Sequence, residues 1–176
     1  FVALAWKEIQ LHEVNLLIAA ILFALHLGTL PARLIVSNPN LRTALEMYWA
    51  LWLLMPLFIG SAAVAEERKL GTLEAQLCLP VSRSAQFSFK FFIGLVLSLL
   101  LGAAIPSLIE HTRYFGIKEY FNYWIFACAA AVYFISFYAS TLARSTLQAI
   151  GMAIGIPVTV WSVLFAVVTL FFEPDN

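Results

Sequence analysis

Residues 44–65, ALEMYWALWLLMPLFIGSAAVA, run directly into residues 66–83, EERKLGTLEAQLCLPVSR, and a second apolar run, 85–109, follows. The first and third pieces are long enough to cross a hydrocarbon core of about 30 Å as helices, which takes about 20 residues. The middle piece carries charge on both sides of a Gly-Thr pair and has a proline near its end. The reading of the whole chain turns on why a charged, amphipathic segment stands between two apolar ones.

Composition answers in part. Of 176 residues, 62% are hydrophobic and 11% charged, where soluble domains have about a quarter charged. The mean hydropathy is +0.91. Apolar segments recur at 14–36, 44–65, 85–109, 121–143 and 147–172, each of membrane-crossing length. A membrane β-barrel would instead show alternating segments of about 10 residues. The expected fold is therefore an all-α, polytopic membrane protein with five transmembrane helices. Pro31, Pro56, Pro106 and Pro157 fall in or near these spans and predict local kinks. Membrane helices tolerate proline where neighbours satisfy the freed carbonyls.

Residues 1–13 place Val2, Ala5/Trp6 and Ile9 at helical spacing, continued by Val14, with Lys7, Glu8 and Glu13 between. This suits a helix lying in the membrane interface, with Trp6 at headgroup level. The chain opens at Phe1 with no signal-peptide pattern, and its start is expected to be trimmed. Residues 37–42 and 110–120 read as polar links, and 143–146 as a tight turn. Counting Lys and Arg on alternate sides puts six (Lys7, Arg68, Lys69, Arg83, Lys90, Arg144) against four (Arg33, Arg42, Arg113, Lys118). The positive-inside rule then predicts a cytoplasmic N-terminus, in a cell (plasma or inner) membrane, with 66–83 on the cytoplasmic side.

The net charge of zero gives no electrostatic case for a nucleic-acid partner. Cys78 and Cys128 are too few for a disulfide framework. His12, His26 and His111 have no partner ligand at metal spacing, so no metal site is expected. His26 is the one ionisable residue placed well inside a span, and it suits a hydrogen bond within the bundle better than a proton relay. Arg33, Glu46 and Lys90 lie near span ends, where long side chains can snorkel to water. No H-E-x-x-H, G-x-S-x-G or phosphate-binding loop occurs, so no catalytic residue and no bound cofactor are expected. Energy for any uphill movement must come from a partner. Small residues line several faces: Gly94, Ser98 and Gly102; Ser136 and Ser140; Gly151 and Gly155. Such faces let helices approach closely, within this bundle or between two chains.

Within the opening stretch, Leu70, Leu73 and Leu77 share a helical face, while most of its polar residues take others. Thr72 suits an N-cap with Glu74 in the first turn, Pro80 ends the helix, and Ser82 or Ser84 can cap the next span. That pattern predicts a short helix over about 66–80 braced between spans two and three; composition alone leaves a solvated loop equally open.

The stretch resembles the signature of ABC-2 type permeases, the membrane subunits of ATP-binding-cassette exporters. The family pattern E-x-x-x-G-T-x-E-x-L-L-x-x-P-V-S-R is matched by Glu67, Gly71, Thr72, Glu74, Leu77, Pro80, Val81, Ser82 and Arg83. Gln76 stands at the first of the pattern's two leucines. "AWKE", Ala5 to Glu8, is similar to the family's N-terminal interface helix. The resemblance implies a six-span domain working as a homo- or heterodimer with two nucleotide-binding subunits, which hold ATP and Mg. It makes the helix between spans two and three a coupling helix docked on the ATPase. Glu67, Gly71, Thr72, Glu74 and Arg83 would lie at that contact, with Leu73 and Leu77 as apolar anchors. A sixth span is expected beyond residue 176. The implied function is outward transport of a hydrophobic or amphipathic substrate. The alternatives are a membrane scaffold without transport of its own and an intramembrane enzyme; the second lacks paired polar groups in the spans.

Overall fold

The structure, a computed structural model, describes residues 10, 12–70, 82–111 and 119–172. The interface helix expected over 1–13 lies almost wholly outside the described residues, as does 71–81, the greater part of the expected coupling helix. Helix α1 spans Glu13–Ile35 and α2 spans Pro39–Glu46. A 3₁₀ stretch, Met47–Leu53, leads into α3, Leu54–Leu70. Helix α4, Arg83–Leu99, passes through a π-helical turn, Leu100–Ala104, into α5, Ile105–His111. Helices α6, Glu119–Leu142, and α7, Thr146–Phe172, are the last described elements. No strand occurs among the described residues. Five helical spans are long and apolar enough to cross a membrane: Glu13–Ile35, Pro39–Arg68, Ser84–Glu110, Tyr123–Leu142 and Thr146–Val163. Their outer faces expose large apolar side chains, among them Leu17, Ile21, Phe92, Val96, Tyr138 and Trp161. These features are consistent with a multi-pass membrane protein.

Three boundaries differ from the sequence reading. The link after span one is shorter than 37–42, because Asn38 and Pro39 open a helix. Asn38 Oδ1 accepts the backbone N–H groups of Asn40 (3.0 Å) and Leu41 (3.4 Å). Pro39 sits at the first helical position, where its missing N–H is no loss. At the other connector, Glu110 and His111 continue the helix instead of starting a loop. The charged residues from Glu66 to Leu70 belong to α3 rather than to a separate coupling helix, since no helix breaker precedes Gly71. Ser82, not Ser84, caps α4: its Oγ accepts the Ala85 N–H at 3.4 Å.

Span two is the centre of the bundle. Half of it is buried, 50%, against 11% for span five. Trp52, Met55, Ile59 and Ala63 form the core with Ala19, Leu101, Ile109, Tyr133 and Phe137. Its closest neighbour is α6. A Cβ on Gly60 would come within 2.0 Å of Ser136 Oγ and 2.9 Å of the Phe137 backbone nitrogen. Ser136 Oγ also donates to the Pro56 carbonyl at 3.1 Å. Backbones this close gain dispersion contacts that lipid cannot supply, which is how small residues join membrane helices. Helix α7 packs through Ala149 and Ala153 onto Ala65, Ala143, Leu57 and Ala139.

The glycines singled out in the sequence divide into two kinds. A Cβ on Gly94 would meet Tyr133 Oη at 2.4 Å, and one on Gly102 would meet Pro56 Cγ at 2.5 Å. Ser98, on the same face, is fully buried. Gly151 and Gly155 have nothing within 4 Å of that position. Gly102→Ala is therefore expected to destabilise the bundle by about 1–3 kcal/mol through overpacking. Gly155→Ala is expected to be neutral or to stabilise by up to about 1 kcal/mol from helix propensity. Thermal unfolding of the two variants in detergent measures the difference; equal behaviour would contradict the packing.

Candidate functional site

Polar side chains gather at the two ends of the bundle. At one end, α3 finishes, α4 begins and α6 turns into α7. Lys90 Nζ pairs with the Glu67 carboxylate, and both residues are buried, at 9% and 1% exposure. The pair ties the last turns of α3 to α4, on either side of the 71–81 connection. Next to it, Arg68 reaches the C-terminus of α6. Its Nη1 donates to the Ala143 carbonyl at 2.7 Å and its Nη2 to the Thr141 carbonyl at 3.0 Å. Those carbonyls lack intrahelical donors, and the negative end of the helix dipole favours the cation. The following turn is closed by Ser145, whose Oγ accepts from the Gln148 N–H at 3.3 Å. The Gln148 side chain in turn accepts from the Arg144 N–H at 3.0 Å. Four helix ends are thus fixed relative to one another, those of α3 and α4 being the borders of 71–81 in the sequence.

At the opposite end, Glu110 is the hub. Arg33 donates to it twice, Nη1 to Oε2 at 3.1 Å and Nη2 to Oε1 at 2.9 Å. His26 Nε2 lies 3.0 Å from Oε1. Trp52 Nε1 donates to His26 Nδ1 at 3.0 Å. Because indole nitrogen can only donate, Nδ1 is the acceptor and the imidazole proton sits on Nε2, facing the carboxylate. The Tyr48 ring lies 5.3 Å from the imidazole. His26 and Arg33 are 0% and 1% exposed. Span one contributes little else to the interior: its buried residues are Asn15, Ala19, His26, Thr29 and Arg33. Ile18, Leu22 and Leu30 pack half-buried against the core, while Leu16, Leu17, Leu25, Leu27 and Leu34 point outward. Just before the span, burial pushes His12 down to about 4, which keeps it neutral beside the Asn15 amide 3.0 Å from its Nδ1.

Of the sequence-derived contact residues, Glu67 is placed in the interior on Lys90. Arg83 opens α4. Gly71, Thr72, Leu73, Glu74 and Leu77 lie outside the described residues. His26 is hydrogen-bonded within the bundle. The expectation that Arg33 and Lys90 snorkel to water is corrected: both are buried and paired with carboxylates. The sequence reading missed Glu110, which it assigned to the connector because the apolar run ends at Ile109. The cue was its spacing after Pro106 and Ser107 on a helix with no stop signal before it. No family model matches this chain, and no curated protein or solved structure does either.

Proposed function

We propose that this chain is a permease subunit of an ATP-binding-cassette exporter of the ABC-2 type. The 71–81 segment would dock on a separate ATPase subunit, and the membrane part would work as a dimer. The observation that carries the reading is the Glu67-to-Arg83 stretch, with Gly71, Thr72, Glu74, Pro80, Val81 and Ser82 at the family's spacing. Its setting supports it. A segment that passes force to a bundle must be held at both ends, and the buried Glu67–Lys90 pair joins the two helices that bear it. In this reading Glu67 is an anchor, and the contact falls to Gly71, Thr72, Leu73, Glu74, Leu77 and Arg83. The substrate class is hydrophobic or amphipathic, moved outward from a cell membrane, with ATP and Mg held by the partner.

The test is purification of the tagged chain from its native membranes with any associated ATPase. Wild type is expected to bring down a nucleotide-binding subunit. Glu74→Arg and Gly71→Pro are expected to reduce that recovery, and its substrate-stimulated ATPase activity, about tenfold, as charge reversal at a small interface can. Recovery and stimulation unchanged in both variants would sink the coupling role.

A further inference from the structure

We propose that the Glu110 end of the bundle is a gate. In it, 47–53 and 105–111 move together about a hinge layer at Pro56 and Pro106, and Glu110 latches them to span one. The first support is in the backbone. Proline has no N–H for the carbonyl four residues back, and its ring crowds that carbonyl. Pro56 deprives Trp52 and Pro106 deprives Gly102. In each span the α-helix gives way one turn ahead of the proline, to a 3₁₀ stretch at 47–53 and to a π turn at 100–104. Within the π turn the Ile105 N–H bonds the Leu100 carbonyl, five residues back. The two irregular stretches are in contact. The Gly102 Cβ position falls 2.5 Å from Pro56 Cγ and 3.5 Å from the Trp52 carbonyl oxygen. Two helical ladders are therefore interrupted side by side, at one level of the bundle. Mid-helix 3₁₀ and π turns mark places where a helix can change its winding.

The second support is what lies beyond the hinge. The pieces past it carry Tyr48, Trp52, Ser107 and Glu110, and the partners of Glu110 sit on span one. The tertiary ion pairs and hydrogen bonds of span one, among the described residues, converge on this cluster. The Glu110 side chain is 12% exposed and holds both Arg33 and His26, so the latch opens only when these bonds break. Opening consists of Glu110 leaving Arg33 and His26 while the two pieces rewind at the hinge layer. That the opening serves exit of cargo rests on the transport reading; the hinge and latch do not.

The test is amide hydrogen exchange on the full chain in detergent or nanodiscs. Glu110→Gln and Arg33→Met are each expected to speed exchange about tenfold in 47–53 and 105–111 together, leaving 84–97 and 125–140 unchanged. The double variant is expected not to exceed the larger single effect, because one interaction is lost in all three and no charge is left unpaired in the double. Pro106→Ala supplies a donor for the Gly102 carbonyl and is expected to slow exchange in both pieces, which keeps the proposal testable should the latch variants fold poorly. No change, a uniform rise across all spans, additive effects of the two latch variants, or a Pro106→Ala effect confined to 105–111 would each overturn it. A wild-type chain that recruits no ATPase would remove the transport reading and leave these exchange patterns as they are.

Discussion

Glu110→Ala is expected to lower the unfolding free energy by about 3–5 kcal/mol, the loss seen when one partner of a buried ion pair is removed. The magnitude comes from what remains. Arg33 is 1% exposed, and without the carboxylate its charge stays in the bundle with no counter-ion. It sits at the end of α1, but its partners bring it inward, so reaching water requires span one to shift. His26 keeps its bond from Trp52 and loses the acceptor for its Nε2 proton. Two effects compete, desolvation against pairing, and the variants separate them. Arg33→Met with Glu110→Met removes both charges and leaves apolar volume, and is expected to recover most of the loss. Reversible unfolding in mixed detergents measures all three. A Glu110→Ala loss below about 1 kcal/mol, the range of an exposed pair, would mean that the carboxylate is solvated and the latch unmade.

The same residues show what could be read in advance. The spans were legible because crossing a membrane demands about 20 apolar residues in a row, a local property of the chain. The Ser82 cap and the tight turn after α6 were legible for the same reason. Arg33 and Glu110 are 77 positions apart, and nothing local to either announces the other. Each stands at the rim of an apolar run, where snorkelling is the ordinary expectation. Lys90 is similar: one cation near the start of span three reads as a surface group until α3 and α4 are packed together. Pro56 and Pro106 were visible as places of irregularity. That one helix tightens and the other widens is not written in either proline, since each removes the same hydrogen bond four residues back. Gly60, the closest approach among the described glycines, was passed over, because the small residues around it, Ser61, Ala62, Ala63 and Ala65, do not single out one face. Its partner Ser136 did belong to a run of spaced small residues.

Lys90→Met is expected to cost about 3–5 kcal/mol as well, for the mirror-image reason. Glu67 is 1% exposed, and a carboxylate left there loses the Lys90 ammonium that balances its charge. The double variant Glu67→Leu with Lys90→Met is expected to return most of that stability, since two apolar side chains can fill the space between α3 and α4. The function should not return with it. Arg68 holds the end of α3 to the carbonyls of α6, but among these contacts it is the Glu67–Lys90 pair that joins α3 to α4 beside the 71–81 segment. An apolar pair packs without direction and leaves the two helices free to slide. A charged pair with both groups buried fixes their register, because any slip separates charges that have no solvent to turn to. If 71–81 carries force from an ATPase, the double variant should keep its fold and its partner and lose about tenfold or more of substrate-stimulated turnover, as misplacement alone can produce. Turnover at the wild-type level in a well-folded double variant would show that the pair stabilises the bundle and positions nothing.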